Sequence, residues 1–236
     1  GTAGGTYRLA ETGYTEILAN TGDLAFFRCQ GPDYRWQLWV TDGTLPGTFQ
    51  LAETVPYSPA YATWIPRQGV LYFVSEIPGD GHGAELWRSD GTPGGTYEVL
   101  DIEPGPVSSN PTFLTAFQGR LFFTAWNELW ASDGTVQGTV PVFSHPSDGD
   151  PLTSLSAAGG ALYFLVEDEQ NDTEVWRSDG TAAGTRKLVT TEGFSFSDPE
   201  FTAAGPRVFF HRSGRLWKTD GTPEGTAQVL DGFDAR

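Results

Sequence analysis

The chain has 236 residues, 30 of them Gly and 16 Pro, with 30 Asp and Glu against 14 Lys and Arg for a net charge of −16. That length suits one large domain or two small ones, and the charge repels phosphate backbones and anionic bilayers, which argues against nucleic acid as a partner. No apolar run reaches the ~18 residues of a membrane span, so no membrane insertion is expected, and the lone cysteine, Cys29, excludes an intrachain disulfide and a multi-cysteine metal site.

Chain order is governed by an internal repeat. A truncated copy, GTAGGTYRLA, occupies residues 1–10. QLWVTDGTLPGT, ELWRSDGTPGGT, ELWASDGTVQGT, EVWRSDGTAAGT and RLWKTDGTPEGT follow, placing Trp39, Trp87, Trp130, Trp176 and Trp217 at intervals of 41 to 48 residues. Each unit reads as four short strands, A to D. Strand A, such as TFLTAF at 112–117, leads through a Gly or Pro turn to an aromatic strand B (LAFF, LYF, LFF, LYF, VFF). A variable loop precedes the Leu-Trp strand C, and Asp-Gly-Thr-x-x-Gly-Thr turns the chain into strand D, such as YEVL at 97–100. A period near 45 with four strands per unit predicts an all-β, five-bladed β-propeller with four antiparallel strands per blade. Six blades, or a fragment of a larger propeller, are the alternatives. The whole of 1–236 is expected to be one domain of five repeats (about 12–50, 51–100, 101–143, 144–189 and 190–230) plus an extra N-terminal strand at 6–10.

Structural roles account for the repeated residues. The carboxylates of Asp42, Asp90, Asp133, Asp179 and Asp220 are expected to accept backbone N–H groups two residues on, while the following glycine supplies positive φ. The five repeat tryptophans are expected to pack between neighbouring blades.

These segments resemble the ELWxxDGTxxGT repeat family of mostly bacterial proteins. The full ELW stands at Glu85 and Glu128, Glu174 begins EVW, and Gln37 and Arg215 replace the acid elsewhere, while Asp-Gly-Thr-x-x-Gly-Thr is intact in all five units. The resemblance implies an exported protein at the cell surface or outside the cell. The chain lacks methionine, and the expectation is a processed piece of a longer product whose signal peptide is not visible. It transfers no activity and no catalytic residue. The architecture is also similar to five-bladed tachylectin-type lectins, a likeness of fold alone.

Alternating strand direction puts the uniform A–B and C–D turns on one face and the variable B–C and D–A loops on the other, where function is expected. The loops 28–38, 75–86 and 166–175 are long, acidic and carry aromatics outside the repeat. Candidate ligand-binding residues there are Tyr34, Trp36, Asp80, His82, Trp126, Asp150, Asp168 and Asp198. Acid beside exposed aromatic suits a carbohydrate, a cation or a protein. The expected function is a non-catalytic binding module; a structural module of a larger exported protein and a propeller glycoside hydrolase are the alternatives. No cofactor is required by any motif, Ca2+ is the ion such an acidic face would take, and no metal ligand set is assigned. His82, His145 and His211 come from three different units with no shared ligand spacing, so they are read as scattered surface residues.

Counting strands leaves one D-type segment too many. Residues 6–10 are therefore expected to form the outer strand of the last blade, with 226–230 displaced.

Overall fold

The computed structural model describes residues 14–31, 33–57, 62–65, 69–146, 151–167, 172–192 and 200–230. They form five antiparallel sheets, each with its strands side by side in chain order. The first holds β1 (Thr15–Asn20), β2 (Ala25–Gln30), β3 (Trp36–Thr41) and β4 (Phe49–Ala52). The second holds β5 (Val55–Pro56), β6 (Ala62–Ile65), β7 (Val70–Glu76), β8 (Glu85–Ser89) and β9 (Tyr97–Leu100). The third holds β10 (Thr112–Phe117), β11 (Arg120–Ala125), β12 (Glu128–Ser132) and β13 (Val140–Ser144). The fourth holds β14 (Leu152–Ala158), β15 (Ala161–Glu167), β16 (Thr173–Ser178) and β17 (Arg186–Thr191), and the fifth β18 (Thr202–Ala204), β19 (Arg207–Arg212), β20 (Arg215–Thr219) and β21 (Ala227–Leu230). The second sheet departs from the others because its first strand is split: β5 and β6 each pair with β7.

Two compact units make up the chain. One takes the described residues up to Leu114 together with Gly134–Val136, and the other Thr115–Asp133 and the described residues from Gln137 onward.

Burial follows strand position. The aromatic strands β7 and β15 are buried on both faces along almost their whole length, whereas β4 and β9 bury one residue in four. A continuous apolar run therefore marks a strand covered on both sides, and broken alternation marks an outer one.

One cross-strand pair recurs in every sheet. Phe27 faces Trp39, Phe73 Trp87, Phe123 Trp130, Phe164 Trp176 and Phe210 Trp217 in register, with ring centroids 6.1 to 6.3 Å apart. Such pairs contribute about 0.5–1.5 kcal/mol beyond their area. At each of these tryptophans the pairing with the next strand shifts register. The expected packing between sheets holds for Trp87, which shares a core with Leu18, Phe26, Leu38 and Leu51 of the first sheet. Trp176 likewise meets Phe143 of the third sheet at 4.7 Å, and Trp217 packs on the core shared by the fourth and fifth.

The first residue of the ELW motif has a role the sequence reading did not assign. Glu128 and Glu174 accept the indole N–H of Trp130 and Trp176 at 3.0 and 2.9 Å, and Gln37 does the same for Trp39. In the fifth sheet Arg215 has no acceptor to offer, and the buried Trp217 Nε1 is left without a partner. Trp87 Nε1 is in the same position, because Glu85 turns away to Ser109 and Ile102.

The Asp-Gly-Thr turns form as expected. Asp42, Asp90, Asp179 and Asp220 each accept the backbone N–H of the threonine two residues on at 2.8 to 3.0 Å, and its hydroxyl at 2.7 Å. That threonine Oγ1 in turn accepts the N–H of the second glycine at 3.0 Å. The first glycine has φ near +90° in all five turns, a region side-chain-bearing residues avoid. The second glycine is needed for a different reason: a Cβ on Gly47, Gly95, Gly138, Gly184 or Gly225 would overlap the aspartate carboxylate of its own turn.

A hydroxyl pair locks the base of each turn. The Ser or Thr before the aspartate (Thr41, Ser89, Ser132, Ser178, Thr219) lies 2.6 to 2.8 Å from the last threonine of the motif. In the first turn Gly43 N–H donates to Thr41 Oγ1 and Thr48 Oγ1 donates to Thr44 O. The proton between the two hydroxyls therefore belongs to Thr41.

The C-terminal strand corrects one expectation. β21 pairs with β20 as an ordinary outer strand, with Leu216 opposite Leu230 and Trp217 opposite Gln228. It is not displaced, because its apolar alternation and preceding turn are those of the other four outer strands. The proposed N-terminal strand at 6–10 lies outside the described residues.

Candidate binding face

The loops joining the second strand of each sheet to the third differ in length between sheets. In the third and fifth sheets they are two-residue turns, Trp126-Asn127 and Ser213-Gly214; in the first and second they span residues 31–35 and 77–84.

Tyr34 tops the first loop, 82% exposed and at φ 63°. The loop closes through Gly31 N–H to Arg35 O at 2.9 Å and Tyr34 N–H to Gly31 O at 3.0 Å. Trp36 stands at its base, half-buried, with the Arg28 guanidinium 4.3 Å over its ring and Tyr14 edge-on at 5.8 Å. Arg28 is itself fixed by Glu16 (Nε to Oε2, 2.8 Å) and Pro56 O (3.0 Å). Trp36 is thus a rigid wall and not a free side chain. It borders a cleft of about 210 Å³ whose other walls include Asp33, Gln37, Glu53, Ile77 and Pro78.

Trp126 is 57% exposed with φ 55°. Its carbonyl accepts from Leu152 N at 3.3 Å, and Asn127 O accepts from His145 N at 2.9 Å. The turn is anchored while the indole faces solvent.

Asp80 and His82 lie on the second loop, with His82 N–H donating to Asp80 Oδ1 at 2.9 Å. His82 Nδ1 sits 3.0 Å from Glu98 of β9, and Asp101 lies 3.9 Å from Nε2. The hydrogen bond and charge of Glu98 raise the His82 pKa above its ordinary value. Glu98 was not a candidate from sequence, being sixteen residues away on a strand that reads as purely structural. Asp150, Asp168 and Asp198 lie outside the described residues.

Of the other chemistry-bearing residues, His211 of β19 is exposed and two are enclosed. Cys29 is fully buried on β2. His145 was expected at the surface and is buried instead, edge-on to Trp176 and 3.1 Å from Glu174. Burial raises the Glu174 pKa, but hydrogen bonds from Lys187, Trp176 and His145 outweigh it and hold the carboxyl below its usual range. At the turn into β10, Asn110 N–H donates to Ala84 O at 3.2 Å and its Nδ2 to Ser108 O at 3.3 Å, so this residue has a structural role.

Neither protein-family models nor curated sequences match the chain. Solved structures do. A prolyl endopeptidase aligns with 94% of this chain and 37% of its own at 11% identity and a TM-score of 0.60. An uncharacterized protein of Listeria monocytogenes aligns with 94% of this chain and 69% of its own, again at 11% identity, with a TM-score of 0.51. The fold is of the β-propeller type. At such identities the likeness concerns the fold alone.

Proposed function

We propose that this chain is a non-catalytic binding module, a five-bladed propeller of the ELWxxDGTxxGT kind, presenting its variable loops to a carbohydrate or a protein outside the cell. The observation that carries the reading is an exposed aromatic on a left-handed backbone, found at both Tyr34 and Trp126. Left-handed φ costs a non-glycine residue about 1–2 kcal/mol, and rings left 82% and 57% exposed recover little of it by burial. The fifth blade makes its two-residue turn with Ser213-Gly214, so the fold does not demand an aromatic there. Strain retained without a packing benefit is a signature of binding surfaces.

A glycan array and a protein pull-down with the full chain identify the ligand class. Trp126→Gly and Tyr34→Gly should leave the melting temperature unchanged or higher and weaken binding at least tenfold. Full binding by the double variant would refute the reading.

A further inference from the structure

The acid and imidazole groups of the second blade have an arrangement that loop exposure does not explain. Asp80, His82 and Glu98 bring one donor atom each to within 4.8 Å of one another. Both Glu98 oxygens approach His82 Nδ1, at 3.0 and 3.1 Å. On the opposite side of the ring Asp101 Oδ2 faces Nε2. Glu98 and Asp101 are only 17% and 22% exposed. Asp101 Oδ1 is sealed from solvent with no donor at all. Among the described residues, no Lys or Arg pairs with any of these three carboxylates. Up to three negative charges therefore share one imidazole, and two of them are largely withdrawn from water with no Lys or Arg of the described residues paired to them.

Neighbouring groups hold this arrangement in place. Asp101 Oδ2 accepts Gly105 N at 3.2 Å. The next residue, Ile102, donates its N–H to the buried Glu85, which also accepts Ser109 N at 2.8 Å and the Ser109 hydroxyl. Ala84 N–H donates to Ser108 Oγ at 2.8 Å, and a Cβ on Gly83 would strike Ser108. The loop carrying Asp80 and His82 is thereby fastened to the connection carrying Asp101.

We infer that Asp80, His82 and Glu98 bind a divalent cation of the Zn2+ class, with Asp101 orienting the imidazole from behind. An imidazole with two carboxylates is a mixed nitrogen and oxygen donor set, which suits Zn2+ and its neighbours, whereas Ca2+ takes six to eight oxygens. A metal-bound histidine donates its second ring N–H to a carboxylate in most sites of this kind, and Asp101 stands on that side. Three protein donors leave a coordination position for water or a ligand oxygen. On a loop face this gives the module a metal-dependent contact.

Titration calorimetry of the full chain with Zn2+ alone should show one equivalent bound. His82→Ala and Glu98→Gln should abolish it, and Asp101→Asn should weaken it by about 10- to 100-fold at unchanged stoichiometry. Substituted Co2+ should give a visible d–d band that disappears in His82→Ala and survives in His211→Ala. His82 is exposed, and an unchanged melting temperature and circular dichroism establish that its variant folds. Absence of stoichiometric binding up to ~1 mM Zn2+, or binding that persists in His82→Ala, would overturn the assignment. The readout uses metal alone, so its outcome is independent of the glycan and protein assays.

Discussion

Gly95→Ala tests the reading of the turns most directly. Gly95 lacks the positive φ that would forbid alanine, and in a one-turn 3-10 segment alanine would ordinarily be neutral or better. Its methyl instead meets the Asp90 carboxylate, which has to swing away. That movement breaks the bonds from Thr92 N at 2.9 Å and Thr92 Oγ1 at 2.7 Å. At about 1 kcal/mol for each partly exposed bond, the loss is ~2 kcal/mol. For a chain of this size it corresponds to a fall of roughly 4–8 °C in melting temperature. Asp90→Ala should cost a similar amount through the same two bonds. Adding Gly95→Ala to Asp90→Ala should cost nothing further, since the atoms it strikes are gone. A double-mutant cycle read by urea or thermal unfolding should therefore return a coupling of about 2 kcal/mol. Additive single effects would refute the steric argument and return the second glycine to a backbone role.

Arg215→Glu places an acceptor where Glu128 and Glu174 have theirs and should stabilise the chain by ~1 kcal/mol by satisfying Trp217 Nε1, about 2–4 °C in calorimetry; no shift would disprove the pairing rule. The Thr44, Thr181 and Thr222 hydroxyls, with the N–H groups of the same residues, hold Asp42, Asp179 and Asp220 below the usual carboxyl value. Their contribution is thus fully present above the unfolded pKa near 3.8 and lost as pH falls through the folded value, and melting temperature against pH should drop below about pH 4 less steeply once all three are Asn. Glu85 has the opposite sign: burial, opposed by the Ser109 and Ile102 hydrogen bonds, raises its pKa. Its contribution is complete below the unfolded value near 4.5 and declines as pH rises through the folded one, so Glu85→Gln should flatten that part of the stability profile.

Most of the fold was legible because its determinants are local and repeated. TFLTAF and YEVL are strands with the bounds read from sequence, and the aspartates cap their turns as their spacing to glycine and threonine implies. Trp87 packs between sheets, as a large flat residue at that period should. What escaped is relational. The hydroxyl before each aspartate stands in plain view in all five motifs, yet its partner is seven residues away across the turn. The split inner strand of the second sheet leaves no mark that distinguishes it from an ordinary Pro-bounded strand. Glu98 reaches His82 because the register shift at Trp87 sets where β9 lies along β8, and a linear spacing rule cannot register that. His145 looked like a loop histidine and is enclosed by Trp176 and Phe143 of two different sheets.

The turn that joins the third and fourth strands of each sheet completes its own hydrogen bonding within eight consecutive residues. A copied segment therefore carries its folding instructions with it, and the recipient chain has to provide only an apolar wall for one tryptophan. Unequal recombination between such copies adds or deletes whole units without leaving an unsatisfied turn behind. Among the five copies the residue at the indole's partner position varies, Gln at 37 and Arg at 215, whereas the Asp-Gly-Thr-x-x-Gly-Thr pattern of the self-sufficient loop does not. In a gene built this way, unit number is free to drift faster than the conformation of any unit, and novelty collects in the connections that no copy has to reproduce.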